Sequence, residues 1–292
     1  MHKVNSQLLF CIKCKGVLDL EILNEASEIT EGFLTCKKCH LKFPIISKIP
    51  IMLENLPQFL ENRSSLGGFL LKSSLTKNMK QFIKQIMSQI KKSNTDFFDT
   101  EKRWTKIYLS NKNSSFYKSV KLHLSKISQK EFVIEYGSSI GIISNTLGLK
   151  HSNVFGIDTS FCALLEAKRK STKNCEYVLS DVLRHPFGKK KFDLIIALNL
   201  FELVEPLSLV NIISSQIRNG TLFLSDPYDY DRGKNSVKHP LNEKQIRKIL
   251  HQKNFVITKK TKVPSNIIWN LKINDRTNLV YKVDIIHAKK SS

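Results

Sequence analysis

From residue 131 onward, short runs rich in Val, Ile, Leu and Phe alternate with helical stretches. That order restricts the fold to an α/β architecture with a largely parallel sheet, because parallel neighbours need a crossover between them. The apolar runs span 131–136, 154–158, 175–181, 192–199 and 221–226, with Arg218-Asn219-Gly220 expected as the turn into the fifth. The first runs directly into Gly137-Ser138-Ser139-Ile140-Gly141, where small residues let the backbone turn sharply beside a ligand. The second ends on Asp158, twenty-three residues after Glu135, and an acid placed there can accept hydrogen bonds from both hydroxyls of a ribose.

The same loop also spells G-x-S-x-G, the nucleophile elbow of α/β hydrolases. Such an elbow should follow earlier strands of its own sheet, and none is expected before residue 131. The downstream acid and histidine, Asp284 and His287, fall within one strand-like run and face different directions. The order of features fits another family better. The segment 131–226, and more loosely the rest, resembles the class I S-adenosylmethionine-dependent methyltransferases. The resemblance rests on Glu135-x-Gly137-x-x-x-Gly141, Asp158, Ser180-Asp181 with Pro186-Phe187, and Phe192-Asp193 leading to Asn199. It implies a Rossmann-like, seven-stranded, mostly parallel sheet with an antiparallel last strand. A helix over 241–250 and strands over 255–258 and 279–286, joined by an excursion, match that ending. It also implies that Glu135 orients the loop or the methionine amino group and that Gly137 and Gly141 let the backbone approach the cofactor. Asp158 holds the ribose, Asp181 and the Val182 amide meet the adenine, and Asn199 lines the methyl-donor pocket. Ser139 stands where the family has its middle glycine.

Before this core lie Cys11-Ile-Lys-Cys14 and Cys36-Lys-Lys-Cys39, separated by twenty-one residues. Two such knuckles complete a tetrahedron of thiolates around Zn2+ and leave no position open, so the metal is structural. A segment of some fifty residues needs the folding free energy such a metal supplies. Cys162 and Cys175 stand apart and read as buried thiols. The residues around the knuckles, Leu8-Leu9-Phe10, Phe43-Pro44-Ile45-Ile46 and Ile49-Pro50-Ile51-Met52-Leu53, resemble the small zinc-ribbon activator proteins that partner tRNA- and protein-methylating enzymes. That resemblance implies a fused zinc ribbon.

The expected division is a ribbon over 1–55, a basic connector over 56–95 and the methyltransferase domain over 96–292. The connector opens with a loose stretch, Asn62 to Gly68, then an amphipathic helix. Leu75, Met79, Phe82, Ile83, Ile86, Met87 and Ile90 form its apolar stripe, with Lys72, Lys77, Lys80, Lys84, Lys91 and Lys92 mostly elsewhere. Two further helices, over 97–108 and 116–124, precede the sheet, and Trp104 or Tyr117 could cap a cofactor cleft or simply pack. The net charge of +22 has half its excess between residues 56 and 130. A basic surface of that kind attracts RNA or anionic lipid, or is merely well solvated. No apolar run is long enough to span a bilayer and no signal peptide is evident, so a cytoplasmic protein is expected.

Residues expected near the pocket mouth are Asn199, His185 and the run Ser225-Asp226-Pro227-Tyr228-Asp229-Tyr230-Asp231-Arg232. None stands out as a catalytic base. The absence of an Asn-Pro-Pro-Tyr pattern after the fourth strand weakens adenine- or glutamine-amide methylation. Three readings follow: methylation of a small metabolite, suggested by the acidic-aromatic run; methylation of tRNA, rRNA or protein, suggested by the charge and the ribbon; and a non-catalytic cofactor- or partner-binding module.

Overall fold

The computed structural model describes residues 1–91, 93–231 and 237–290. A short helix, α1 (Lys3–Ser6), leads into an antiparallel sheet of β1 (Leu18–Glu25), β2 (Ile29–Cys36), β3 (Lys42–Ile46) and β4 (Ile49–Pro50), paired in chain order. Tight turns before β1 and between β2 and β3 place the two cysteine pairs at one end of this sheet. The sheet does not stand apart. Ile51 bridges to Leu179 in parallel, the Met52 amide donates to the Leu179 carbonyl at 2.8 Å, and the Phe10 amide donates to the Pro186 carbonyl at 2.6 Å. Phe43, Ile45 and Met52 share a continuous core with Phe155 and Val178 of the later sheet and with Phe187 in one of its connections.

The connector folds as three helices: α2 (Leu56–Glu61), α3 (Ser64–Ser73) and α4 (Lys77–Ser88). The stretch expected to be loose lies partly in α3, because the Asp96 carboxylate accepts the Ser65 amide at 2.8 Å and the Ser64 hydroxyl at 3.0 Å. An acceptor there satisfies donors that a first helical turn leaves open. Gly67 also lets Met87 approach closely. Leu75 is not on the buried stripe; it is 62% exposed, ahead of the Thr76 cap of α4. Met79 and Ile83 are buried, and Phe82 meets Phe33 of β2 edge-on at 5.0 Å. Lys92 lies outside the described residues. Next come α5 (Phe98–Ser110) and α6 (Ser115–Ser125), close to expectation.

The second sheet contains β5 (Phe132–Tyr136), β6 (Asn153–Asp158), β7 (Cys175–Leu179), β8 (Phe192–Leu198), β9 (Ile217–Asp226), β10 (Phe255–Ile257), β11 (Ile267–Asn274) and β12 (Thr277–Lys290). Its order is β10-β12-β9-β8-β5-β6-β7, with β12 antiparallel between β9 and β10 and the five strands β9, β8, β5, β6 and β7 parallel. Crossover helices α7 (Ile142–Leu147), α8 (Phe161–Arg169) and α9 (Pro206–Gln216) join the parallel strands, and α10 (Glu243–Gln252) precedes β10. The seven-stranded, Rossmann-like arrangement with an antiparallel last strand is therefore present. Two details depart from the sequence reading. Arg218, Asn219 and Gly220 are not a turn before β9 but a bulge inside it, where the register slips between Phe192 and Leu194 of β8. The excursion before β12 is an eighth strand, β11, paired with its first half. Among the described residues no helix is long and apolar enough to cross a membrane.

At the sheet edge, Asp284 of β12 is 4% exposed and forms a two-point ion pair with Arg247 of α10, at 2.6 and 3.0 Å. Tyr228 and Ser265 also donate to it. Removing one partner of a buried pair strands the other charge at a cost of about 3–5 kcal/mol. Arg247→Ala is accordingly expected to lower unfolding free energy by about that amount in urea titration, and an effect below about 1 kcal/mol would show the pair to be solvated.

Candidate functional site

The loop after β5 takes its shape from three left-handed residues: Gly137 at φ +68°, Ser139 at φ +45° and Gly141 at φ +70°. A side chain at Gly137 would press on the end of the Leu200 side chain, and the positive φ is what favours glycine there. Ser139 holds a conformation that costs an L-residue roughly 1–2 kcal/mol. What keeps it there is Asp158 at the end of β6. One carboxylate oxygen accepts the Ser139 amide at 2.8 Å and the other accepts the Ser160 amide at 2.8 Å. Burial pushes the Asp158 carboxyl up from its ordinary range, and the backbone amides of Ser160, Ser139 and Thr159 oppose that shift. Glu135, buried at the end of β5, accepts the Ser144 amide at 2.8 Å and the Ser144 hydroxyl, which binds the strand to the first turn of α7. Burial raises its carboxyl to about 8 despite those two donors. Asn199, at φ +54° after β8, accepts from the Ser225 hydroxyl at 3.0 Å.

Glu135, Gly137, Ser139, Asp158 and Asn199 line one cavity of about 350 Å³. Gly141 lies beside a different groove, across the start of α7. Asp181 and Val182 are not brought to the cavity either. Asp181 caps the turn after β7 through the Leu183 amide, at 2.8 Å, and faces a groove shared with Ile12, Lys13, Met52 and Glu54 of the N-terminal region. Val182 is buried in the core.

The far wall of the cavity is aromatic. Trp104 and Tyr108 come from α5, Phe116 and Tyr117 from α6, and Trp269 from β11. Trp269 packs against Phe116 at 5.1 Å and Tyr117 at 6.2 Å. Sequence reasoning raised Trp104 and Tyr117 but missed Tyr108, Phe116, Trp269, Arg63, Glu101 and Glu202, all on the cavity wall. Trp269 was findable, since 267–274 alternates apolar and polar residues as a strand does. Glu101 pairs with Arg63 at 2.6 Å through one oxygen. Its other oxygen and the indole nitrogen of Trp269 are buried without a hydrogen-bond partner. Burial raises the Glu101 carboxyl, against the pull of Arg63.

Other expected site residues serve the fold. His185 is buried away from the cavity: its Nδ1 faces the Phe187 amide at 3.3 Å and the Gln216 amide nitrogen at 3.1 Å, and burial lowers it to about 4. In the run after β9, the Asp226 carboxylate accepts the Phe201 and Tyr228 amides, at 2.9 and 2.8 Å. Tyr228 donates to Asp284 and Tyr230 donates to the Leu241 carbonyl at 2.6 Å. Neither the acids nor the tyrosines of that run line the cavity, and Arg232 lies outside the described residues. Asp284 and His287 are likewise far from a hydrolase role, Asp284 being committed to Arg247.

The four cysteines of the knuckles converge. Cys11 and Cys39 have their sulfurs 3.6 Å apart, Cys14 and Cys36 3.4 Å, and all four lie within 4.8 Å of one another. Thiolates at about 2.3 Å from a tetrahedral zinc sit about 3.8 Å apart, so the set fits that ion. The Lys38 and Cys39 amides both point at the Cys36 sulfur, at 3.4 and 3.5 Å. Of the remaining thiols, Cys175 is buried and donates to the Ser144 carbonyl at 3.2 Å, whereas Cys162 is only half-buried.

The raised carboxyl of Glu135 has a consequence for stability. Between its ordinary value of 4.5 and about 8 the folded chain binds more protons than the unfolded chain, so stability falls as pH rises through that window. Glu135→Gln removes this dependence. Its melting temperature is expected to exceed that of the wild type by a margin that widens from about pH 5 to about pH 8, and a constant margin would rule out a buried, protonated Glu135.

Residues 134–224 match the family model described as a methyltransferase domain. Among solved structures the chain is similar to magnesium protoporphyrin IX methyltransferase of Synechocystis PCC 6803 with bound S-adenosylhomocysteine, at 20% identity over 67% of this chain and 96% of that one, TM-score 0.50. It is also similar to the N-methyltransferase NodS of Bradyrhizobium japonicum WM9 in complex with S-adenosyl-L-homocysteine, at 12% identity over 67% and 98%, TM-score 0.50. No curated protein matches it by sequence. The segment that matches the methyltransferase model is thus set in a sheet whose fold is similar to that of these methyltransferases.

Proposed function

We propose that the protein is an S-adenosylmethionine-dependent methyltransferase acting on a small molecule, with a structural Zn2+ held by Cys11, Cys14, Cys36 and Cys39. The observation that carries the first part is the placement of Asp158 on the cavity wall. Each of its oxygens accepts one backbone amide, and a carboxylate offers about four acceptor sites, so both oxygens retain capacity for ribose hydroxyls. Glu135 on the same wall suits the methionine ammonium, whose charge would offset the burial of the carboxylate. Gly137 and Ser139 give the backbone close approach. Asp181 and Val182, which lie outside that cavity, are given no contact with the cofactor. Asn199 stands at the methyl-donor side. S-adenosylmethionine supplies an electrophilic methyl carbon; the chain's own contribution is to align acceptor and donor and exclude water.

A small acceptor is favoured because α5, α6 and β11 wall the far side of the cavity with rings. An RNA acceptor finds support in the exposed Lys102, Arg103 and Lys106 along α5. Salt-sensitive retention on bulk tRNA would favour that second reading.

The chain has two tryptophans, Trp104 and Trp269, and both line the cavity, so intrinsic fluorescence reports on its occupancy. Titration with S-adenosylhomocysteine is expected to change that fluorescence saturably. Asp158→Ala, which removes two hydrogen bonds to a charged group worth about 1.5–3 kcal/mol each, should weaken binding at least about tenfold. An unresponsive wild-type protein, checked by calorimetry, would refute the cofactor assignment. For the metal, native mass spectrometry should find one zinc per chain. Stripping it should lower the melting temperature, and a metal-free chain of unchanged stability would refute the structural role.

A further inference from the structure

We propose that the methyl acceptor is a small amine or nitrogen heterocycle, recognised by an aromatic and carboxylate-lined chamber formed by α5, α6, β11 and the segment after β8. The inference rests on the cofactor reading above and names the substrate class of the same cavity.

The lining has a pronounced charge sign. Glu101, Glu135, Asp158 and Glu202 face the cavity, and the one basic residue among its lining residues, Arg63, is bound to Glu101. The chain as a whole carries +22. Charges beyond about 8 Å are largely screened at physiological salt, so the lining acids set the potential inside, with Glu135 adding its charge once a cation in the chamber draws off its proton. A carboxylate or phosphate acceptor would meet repulsion and lose its hydration. A cationic or nitrogen-bearing one meets the electron-rich faces of Trp104, Tyr108 and Tyr117, which attract positive charge.

The reaction itself favours such a lining. A neutral nitrogen lone pair forms the new C–N bond as the C–S bond breaks and its electron pair stays on sulfur. Sulfonium and amine become thioether and methylammonium. The positive charge moves from sulfur to nitrogen and remains inside the chamber, where rings and carboxylates stabilise it at both positions. An amine that enters as its ammonium first gives its proton to water or to a lining carboxylate, because only the free lone pair attacks, and the methylammonium of a primary or secondary amine releases a proton to water after transfer. The second oxygen of Glu101 is buried without a donor and can accept an N–H from such a ligand, while the Trp269 indole N–H, on a residue 5% exposed, lacks an acceptor that a second ring nitrogen of a heterocycle would supply. Trp104, Tyr108, Phe116, Tyr117 and Trp269 all lie outside the family-matched residues 134–224, where acceptor specificity can differ between proteins sharing one cofactor fold.

The test uses the full-length, metal-replete protein saturated with S-adenosylhomocysteine, and titrates benzyltrimethylammonium, benzyl alcohol and benzoate against tryptophan fluorescence, with equilibrium dialysis as a second readout. The cation is expected to bind at least tenfold tighter than the alcohol, and benzoate more weakly still. Trp104→Leu, with its fold verified by thermal melting, should weaken cation binding at least fivefold. If S-adenosylhomocysteine binds but benzoate or the alcohol equals the cation, the amine proposal is overturned and the cofactor reading stands. If S-adenosylhomocysteine itself does not bind, both fall. A labelled-methyl assay on cell extract gives the same decision independently: label in the basic small-molecule fraction supports the proposal, and label confined to acidic metabolites, RNA or protein overturns it.

Discussion

The carboxylate of Asp158 accepts the Ser139 amide on one oxygen and the Ser160 amide on the other. These two bonds link the loop after β5 to the start of α8 and fix the floor of the cavity. They also hold Ser139 at a positive φ that its Cβ disfavours. A glycine would adopt that conformation without help. With serine, the loop depends on Asp158 for its shape, so the residue proposed to hold the ribose is also the one that fixes the loop after β5. Glu135 does the equivalent work one strand over, fastening the first turn of α7. The site is thus built from two buried acids whose charges are satisfied mainly by backbone and hydroxyl donors. Such acids gain from a ligand that brings positive charge.

The parts of this design legible in the sequence are those governed by local periodicity and spacing. The five parallel strands and the positions of Glu135, Gly137 and Asp158 follow from apolar runs that each end beside small or acidic residues. What escaped was decided by partners distant in the chain. Ser64 to Gly68 look like linker until Asp96, some thirty residues on, caps them into a helix. The turn-like Arg218-Asn219-Gly220 is used as a bulge because β8 and β9 slip in register there. The acidic-aromatic run after β9 has a composition suited to a binding loop, yet Asp226, Tyr228 and Tyr230 are engaged with Phe201, Asp284 and Leu241. Composition states which groups are present; only the fold states which already have partners.

The N-terminal sheet shows the same dependence in another form. Its strands are short, but its inner face is continuous with the core under β6 and β7, and backbone hydrogen bonds join it to Leu179 and Pro186. Glu31 of β2 also accepts the Thr76 amide at 2.9 Å, which anchors the head of α4. The proposed metal, by holding the two knuckles, would therefore bear on more than fifty residues. It would steady the surface against which the turn carrying Asp181 is packed, and through Phe10, Lys15 and Glu54 that surface touches Pro186, His185 and Arg184.

The strongly basic composition and the acid-lined cavity are compatible because they act over different distances. Lysines spread over an exterior set the long-range field and keep the chain soluble. Inside a chamber a few ångströms across, Glu101, Glu135, Asp158 and Glu202 lie far closer to any ligand than the surface cations do. Coulomb attraction grows as separation and effective dielectric fall, so these acids dominate, Glu135 joining them as a charge when a bound cation takes its proton's place. Net charge alone suggested a nucleic-acid substrate, whereas the groups that would touch the acceptor favour a nitrogen nucleophile. Where the two disagree, the nearer charges decide chemistry and the distant ones decide only approach.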